Sequence, residues 1–253
     1  MNDTPALGSS GRGDADVGHI ASLLGDPSRA RMLMVLADGR AHPASALATA
    51  VGLSRPAATA HLQRLVTGGL VRVEQVGRFR LHSLASPEVA RLVEALAAVA
   101  PPQRVTSLKA SNTAAALRAG RTCYDHLAGR LGVAVADALR SHDAVHFEDP
   151  PADIAAGASP APIRLGPAAD SIFTALHVSF GVNAITPTRR AALRLCVDWS
   201  ERRFHIAGGL GAAMLESWLT RDWVTRRSGR SVCLTPYGCK KLQAALPGIN
   251  LHT

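Results

Sequence analysis

No apolar run among the 253 residues approaches the roughly 20 that a membrane span requires. The opening stretch MNDTPALGSSGRGDAD lacks the apolar centre of a secretory signal, and its Gly, Ser and Asp content predicts a flexible arm over 1–14. The expected location is therefore the cytoplasm, with no membrane partner. Cysteine is scarce: Cys123, Cys196, Cys233 and Cys239 all lie beyond residue 120, too few in a chain this long for a disulfide scaffold. Signatures of catalysis are missing as well. There is no Gly-rich phosphate loop, no Gly-x-Ser-x-Gly elbow and no His-Glu-x-x-His pair, and the carboxylates are scattered. No residue is assigned a catalytic role, and no enzyme is expected.

What is present is a core-forming composition, 47% apolar and 19% charged, long enough for one large domain or two ordinary ones. The net charge of +9 is carried almost wholly by arginine and suits a polyanionic partner. Its distribution is more informative than its sum. Within 54–80, five arginines face a single glutamate, Glu74.

That stretch sits inside an ordered run of elements. Val17, Ile20, Leu23 and Leu24 form a helical stripe that stops at Gly25. Asp26 and Pro27, an N-cap and a first-turn proline, open a second helix running to Gly39. A short helix follows over 43–50. Ser54-Arg55-Pro56 opens the next, which turns Ala58, Leu62, Leu65 and Val66 inward and leaves Arg55, Thr59, Ala60, Gln63 and Arg64 outward. LVRVEQ and RFRLHSL alternate around Val76-Gly77, which predicts a β-hairpin with Arg78 and Arg80 near its tip. Ser86-Pro87 starts a further amphipathic helix. A helix with small exposed residues and Arg and Gln fits the major groove, and a basic hairpin reaches the flanking phosphates or minor groove.

The core of this segment resembles the ArsR/SmtB family of bacterial repressors. The resemblance is carried by Leu53-Ser54-Arg55-Pro56, by His61-Leu62-Gln63-Arg64-Leu65, by Gly69-Leu70-Val71, and by Gly77-Arg78, over roughly 17–98. It implies a homodimer on a palindromic operator in double-stranded DNA, released by an effector. Ser54, Arg55, Pro56, Thr59, Ala60, His61, Gln63, Arg64, Arg78 and Arg80 are the expected DNA-contacting residues. The chain departs from the family at its metal sites. The helix before the recognition helix, ALATAVG, has no cysteine, and the helix after the wing, SPEVARLVEALAAVAP, has Glu88 and Glu94 but no histidine. Membership alone does not make this chain a metal sensor.

Pro101-Pro102 and the polar run to 112 read as a linker. Beyond it, His126-Leu-Ala-Gly-Arg-Leu-Gly132 and His205-Ile-Ala-Gly-Gly-Leu-Gly211 are near copies, 79 residues apart. Similar elements follow each, so 113–253 is expected to contain an internal repeat of about 121–181 and 200–246. A second wing-like hairpin carries Arg226, Arg227 and Arg230, read as a solvated turn rather than a DNA contact.

Two clusters stand out here. One is Arg121-Thr-Cys123-Tyr124-Asp125-His126. The other runs from Cys196 through Asp198, Trp199, Glu201, Arg202 and Arg203 to His205. Cys123 and His126 are spaced to share one face of a helix, and Cys196 with His205 would complete a Cys2His2 set if the repeats converge. Zinc, another soft metal or haem suits such donors. Against this, two residues separate the pair in one cluster and eight in the other, and a buried cysteine is commonly a small hydrophobe. A redox-active thiol, an organic effector pocket and a purely structural role remain open. Asp125, Asp198 and Glu201 are free to pair with Arg121, Arg202 or Arg203. This region is similar to a subgroup of longer ArsR-like proteins with the same two segments.

The expected architecture is mainly α with small β-hairpins (α+β). A winged helix-turn-helix over 15–100 precedes a sensor and dimerisation region built from a duplicated helix–hairpin–helix, degenerate winged-helix-like unit. The expected function is a sequence-specific DNA-binding regulator of repressor type, with its recognition helix at about 54–67 and its wing at about 70–84. A winged-helix scaffold for protein contacts and, behind it, a metal-dependent enzyme are the alternatives.

Overall fold

The structure is a computed structural model describing residues 14–101, 104, 106–150, 162–179 and 192–251. Apart from Asp14, the arm expected over 1–14 lies outside the described residues, as do parts of the first expected repeat, 121–181.

Helix starts follow the capping chemistry of the sequence. Asp16 accepts from the His19 amide at the start of α1 (Val17–Leu24), and Asp26 accepts from Ser28 and Arg29 at the start of α2 (Pro27–Leu36). The two-residue strand β1 (His42–Pro43) leads into α3 (Ala44–Val51), which ends at Gly52 in the left-handed region. Ser54 caps α4 (Arg55–Thr67). The hairpin of β2 (Val71–Val76) and β3 (Phe79–Leu84) closes with Val76 opposite Phe79, so Gly77 and Arg78 form a two-residue turn with Gly77 at φ 57°. β1 joins the far side of β3, giving the order β1-β3-β2. Ser86 caps α5 (Pro87–Val99).

Leu62 and Leu65 of α4, Met32, Leu33 and Leu36 of α2, Leu47 of α3 and Leu84 of β3 are buried in one apolar cluster. Each such side chain contributes about 1.5–3 kcal/mol through burial. The core therefore fixes the roll of α4 and decides which of its residues remain outside.

The second apolar cluster lies in the C-terminal half. It is preceded by α6 (Leu108–Ala119), capped by Ser107, which takes in the last five residues of the expected linker. Then come β4 (Arg121–Cys123), β5 (His126–Ala128), α7 (Gly129–Ser141), β6 (Val145–His146), β7 (Arg164–Leu165) and α8 (Ala169–Ala175). The same order recurs in β8 (Arg194–Val197), β9 (Phe204–Ala207), α9 (Gly208–Thr220), β10 (Val224–Arg226), β11 (Val232–Leu234) and α10 (Pro236–Ala245). Each pass runs hairpin, helix, hairpin, helix, so a hairpin precedes the helix–hairpin–helix read from the sequence. α7 packs on β9 and α9 on β5, each helix reaching the hairpin of the other pass. Gly132 and Gly211 allow that approach. A Cβ at Gly132 would lie 3.5 Å from the His205 Cβ of the other hairpin, and one at Gly211 would lie 2.9 Å from the His126 Cβ.

The two halves are in direct contact. The Tyr124 amide donates to the Ala37 carbonyl at 2.8 Å, at the end of α2. A Cβ at Gly39 would lie 2.2 Å from the Tyr124 carbonyl oxygen, and Gly39 sits at φ +77°. Arg226 donates to the Asp38 carbonyl, and buried Arg230 pairs with buried Glu94 of α5. This corrects the solvated reading of the β10–β11 hairpin: of its three arginines only Arg227 is exposed. Arg226 and Arg230 are drawn in by acceptors on the N-terminal half. Among the described residues, no helix is long and apolar enough to cross a membrane.

Candidate nucleic-acid interface and a buried cysteine–histidine centre

Arg55, Thr59, Ala60, Gln63 and Arg64 all stand exposed along α4, opposite the buried Ala58, Leu62 and Leu65. Ser54 and Pro56 are exposed at its start. Thr59 is exposed, and its Oγ1 donates to the Arg55 carbonyl at 2.9 Å. Arg78 and Arg80 are exposed on the wing, and Arg78 lies over the Phe79 ring at 5.2 Å. Arg72 of β2 is also exposed and donates to Ser83 Oγ. It extends the cationic edge and was passed over in the sequence because it lies away from the hairpin tip.

His61 differs from the others. It is half-buried, with Nδ1 3.7 Å from the Asp26 carboxylate that caps α2. Its position on the inner flank of α4 makes it a link between helices.

In the C-terminal half, Cys123 and His126 do not share a helix face, which corrects the expectation. Tyr124, at φ 61°, and Asp125 turn the chain, and Cys123 and His126 are opposite each other on β4 and β5. Cys196 and His205 are likewise opposite each other on β8 and β9. The unequal spacings thus give one register, with a longer turn in the second hairpin. The four donor atoms all lie within 4.8 Å of one another. The Cys123 and Cys196 sulfurs are 3.9 Å apart, and the His126 and His205 rings stack at 5.1 Å between centroids. Cys123, His126 and His205 are buried and Cys196 is half-buried. Contact with Cys196 and burial both push the Cys123 thiol up.

Charged neighbours surround this centre. Asp198 is fully buried and accepts from Arg121 Nη2 at 2.9 Å, from the Gly129 amide at 2.6 Å, and from the amides of Ser200 and Glu201. Burial alone would raise its carboxyl. Arg121, His205 and the Gly129 amide outweigh that and hold it well below the usual carboxylate range. The Arg121–Asp198 pairing weighed in the sequence is thus formed, whereas Arg203 pairs with Asp137 of α7. Arg121 also lies over the Trp199 ring at 4.5 Å. A cleft of about 720 Å³ opens between α5 and the centre, lined by Ala90, Glu94, Cys123, His126, Arg194 and Cys196 among others. Asp198, Asp125 and Tyr124 carry the surroundings of the site. Their roles follow from two hairpins meeting, which local spacing does not reveal.

A helix-turn-helix domain family matches residues 24–74. An HTH-type transcriptional regulator of Bacillus subtilis (strain 168), YdfF, is 37% identical over 226 residues, covering 88% of this chain and 93% of its own. The chain belongs to the HTH-type transcriptional regulators. It is a DNA-binding protein of that class, and the matched stretch takes in α2, α3 and α4. Among solved structures, the homodimeric winged helix-turn-helix domain of Mycobacterium bovis Mb0332, a possible ArsR-family regulator, is 32% identical. That alignment covers 34% of this chain and 87% of the other, with a TM-score of 0.31. The cadmium sensor CMTR of Mycobacterium tuberculosis is 31% identical over 36% of this regulator and 99% of its own chain, with a TM-score of 0.30.

Proposed function

We propose that the protein is a sequence-specific repressor that binds a palindromic operator as a cytoplasmic homodimer and is released by an effector received in its C-terminal half. In this reading 15–100 forms the DNA reader and 113–253 the receiving and dimerising region, and no catalytic step is involved. The observation that carries the reading is the exposed face of α4, with Arg55, Thr59, Ala60, Gln63 and Arg64 flanked by Arg78 and Arg80 of the wing. Short side chains at Thr59 and Ala60 admit close approach to base edges, where Arg and Gln supply bidentate donors. The wing arginines supply sequence-independent phosphate contacts.

Homodimerisation is supported by apolar side chains left outside the reader's core: Val17 of α1 is 71% exposed and Val99 of α5 72%. The solved Mb0332 domain is described as homodimeric. Effector control is supported by Tyr124, which sits between Cys123 and Asp125 and bonds the end of α2. The test is a gel shift with duplex DNA flanking the protein's own gene, repeated at rising salt. A specific shift that weakens with salt is expected, and no specific shift at low salt overturns the reading.

A further inference from the structure

The geometry points to a tetrahedral site for a thiophilic divalent cation of the zinc class, with Cys123 Sγ, Cys196 Sγ, His126 Nε2 and His205 Nε2 as ligands. This deepens the reading above by naming the chemistry of the effector site, but the site itself stands on its own geometry.

Four observations support it. First, a tetrahedron with metal–sulfur bonds of about 2.3 Å and metal–nitrogen bonds of about 2.0 Å places its donors about 3.3–3.8 Å apart. The two sulfurs already stand at 3.9 Å and all four donors lie within 4.8 Å, so a contraction of about 1–1.5 Å at the widest pair closes the shell. Second, His126 Nε2 and both ring nitrogens of His205 are buried without a hydrogen-bond partner, on side chains only 7% and 1% exposed. Such atoms are costly to bury unless something binds them.

Third, a carboxylate faces the Nδ1 side of each ring: Asp125 at 3.2 Å from His126 and Asp198 at 3.7 Å from His205. A carboxylate behind the ligating imidazole orients the ring and leaves Nε2 for the metal. Fourth, the cleft beside α5 reaches Cys123, His126 and Cys196, which gives an entry path. As the cation enters, each cysteine thiol releases one proton to solvent. Two thiolates then balance the divalent charge, and the filled centre is neutral. Haem fits less well, because its iron takes protein ligands from the two faces of a macrocycle. Four donors converging within 4.8 Å leave no plane for that ring.

The test uses the reduced full-length chain, stripped with chelator and titrated with Zn2+ alone and with Co2+ alone, without DNA. The expected result is one ion per chain, with intense visible bands of tetrahedral Co2+ and a thiolate-to-cobalt charge-transfer band. X-ray absorption of the zinc-loaded chain should show sulfur and nitrogen scatterers at about 2.3 Å and about 2.0 Å. Cys196→Ser should abolish stoichiometric uptake while Cys233→Ser keeps it. Should Cys196→Ser fail to fold, the wild-type absorption spectra still decide the donor set. Failure of the reduced chain to take up either ion overturns the proposal, as does uptake with only nitrogen and oxygen donors. A reduced chain whose two thiols do no more than oxidise to a disulfide overturns it equally. None of these outcomes bears on the gel shift, so loss of the metal site and loss of the DNA reader are separately visible.

Discussion

Tyr124 is where the buried centre touches the reader, and Gly39 is what lets it do so. At φ +77°, and with the Tyr124 carbonyl 2.2 Å from where a Cβ would sit, position 39 admits no side chain without moving the hairpin. Gly39→Ala is expected to lower Tm and to make DNA binding indifferent to added Zn2+, measured by anisotropy with and without the ion. Full Zn2+ response in this variant would remove Tyr124 from the coupling path.

The Glu94–Arg230 pair is a second tie between the halves. Burial raises the Glu94 carboxyl, but the Arg230 and Arg121 guanidiniums beside it more than offset this and keep it ionised. Glu94→Gln leaves Arg230 buried without its counter-charge and should cost about 3–5 kcal/mol in denaturant unfolding. Asp38 is a third. Burial pushes its carboxyl up, but His42 and Arg40, at 2.9 Å and 2.7 Å, hold it below its usual value. A depressed folded-state pKa stabilises above the free value of about 3.9 and is lost as pH falls below it. Asp38→Asn should therefore flatten the acid limb of the stability profile and leave stability at neutral pH reduced.

At the scale of elements, α4 and the wing should separate into two kinds of contact. Arg55→Ala is expected to cost about 1–3 kcal/mol and relax preference at one base position. Arg78→Ala should weaken binding alike across sequences and reduce the salt slope by about one. Competition assays with operators altered one base pair at a time distinguish the two. If Arg55→Ala proves sequence-blind, α4 is not the reading helix.

These elements were legible in the sequence because their determinants are local. Asp26, Ser54 and Ser86 cap the helices they precede, and Gly77 sits in the turn of the hairpin. The cysteine–histidine centre was only half legible. Its four residues are evident from the paired segments, but Cys123 and His126 were placed on a helix because a spacing of three suits one. A tight turn puts the same two residues opposite each other across a hairpin. What spacing cannot carry is long-range pairing. Arg121 with Asp198 and Arg230 with Glu94 depend on which hairpin meets which helix.

At the scale of the whole molecule, two cores are joined by contacts around the end of α2 and along α5. α5 packs Val89, Ala90 and Val93 on the reader and presents buried Glu94 to Arg230, while Leu96 and Val99 remain exposed on it. Leu96→Asp with Val99→Asp should shift a dimer to a monomer in sedimentation with little change in Tm, and should lower operator affinity by uncoupling the two half-sites. A dimer unaffected by both changes would place its interface elsewhere.

The central claim is that α4 reads sequence in duplex DNA. It is tested most directly by titrating the full chain against a duplex from upstream of its own gene and against a scrambled duplex of equal length, at one fixed physiological salt concentration. The account predicts that the specific duplex binds at least about 10³-fold tighter than the scrambled one, as specific regulators do, and that Arg55→Ala narrows the gap. Equal affinity for both duplexes, with no change on Arg55→Ala, would contradict it.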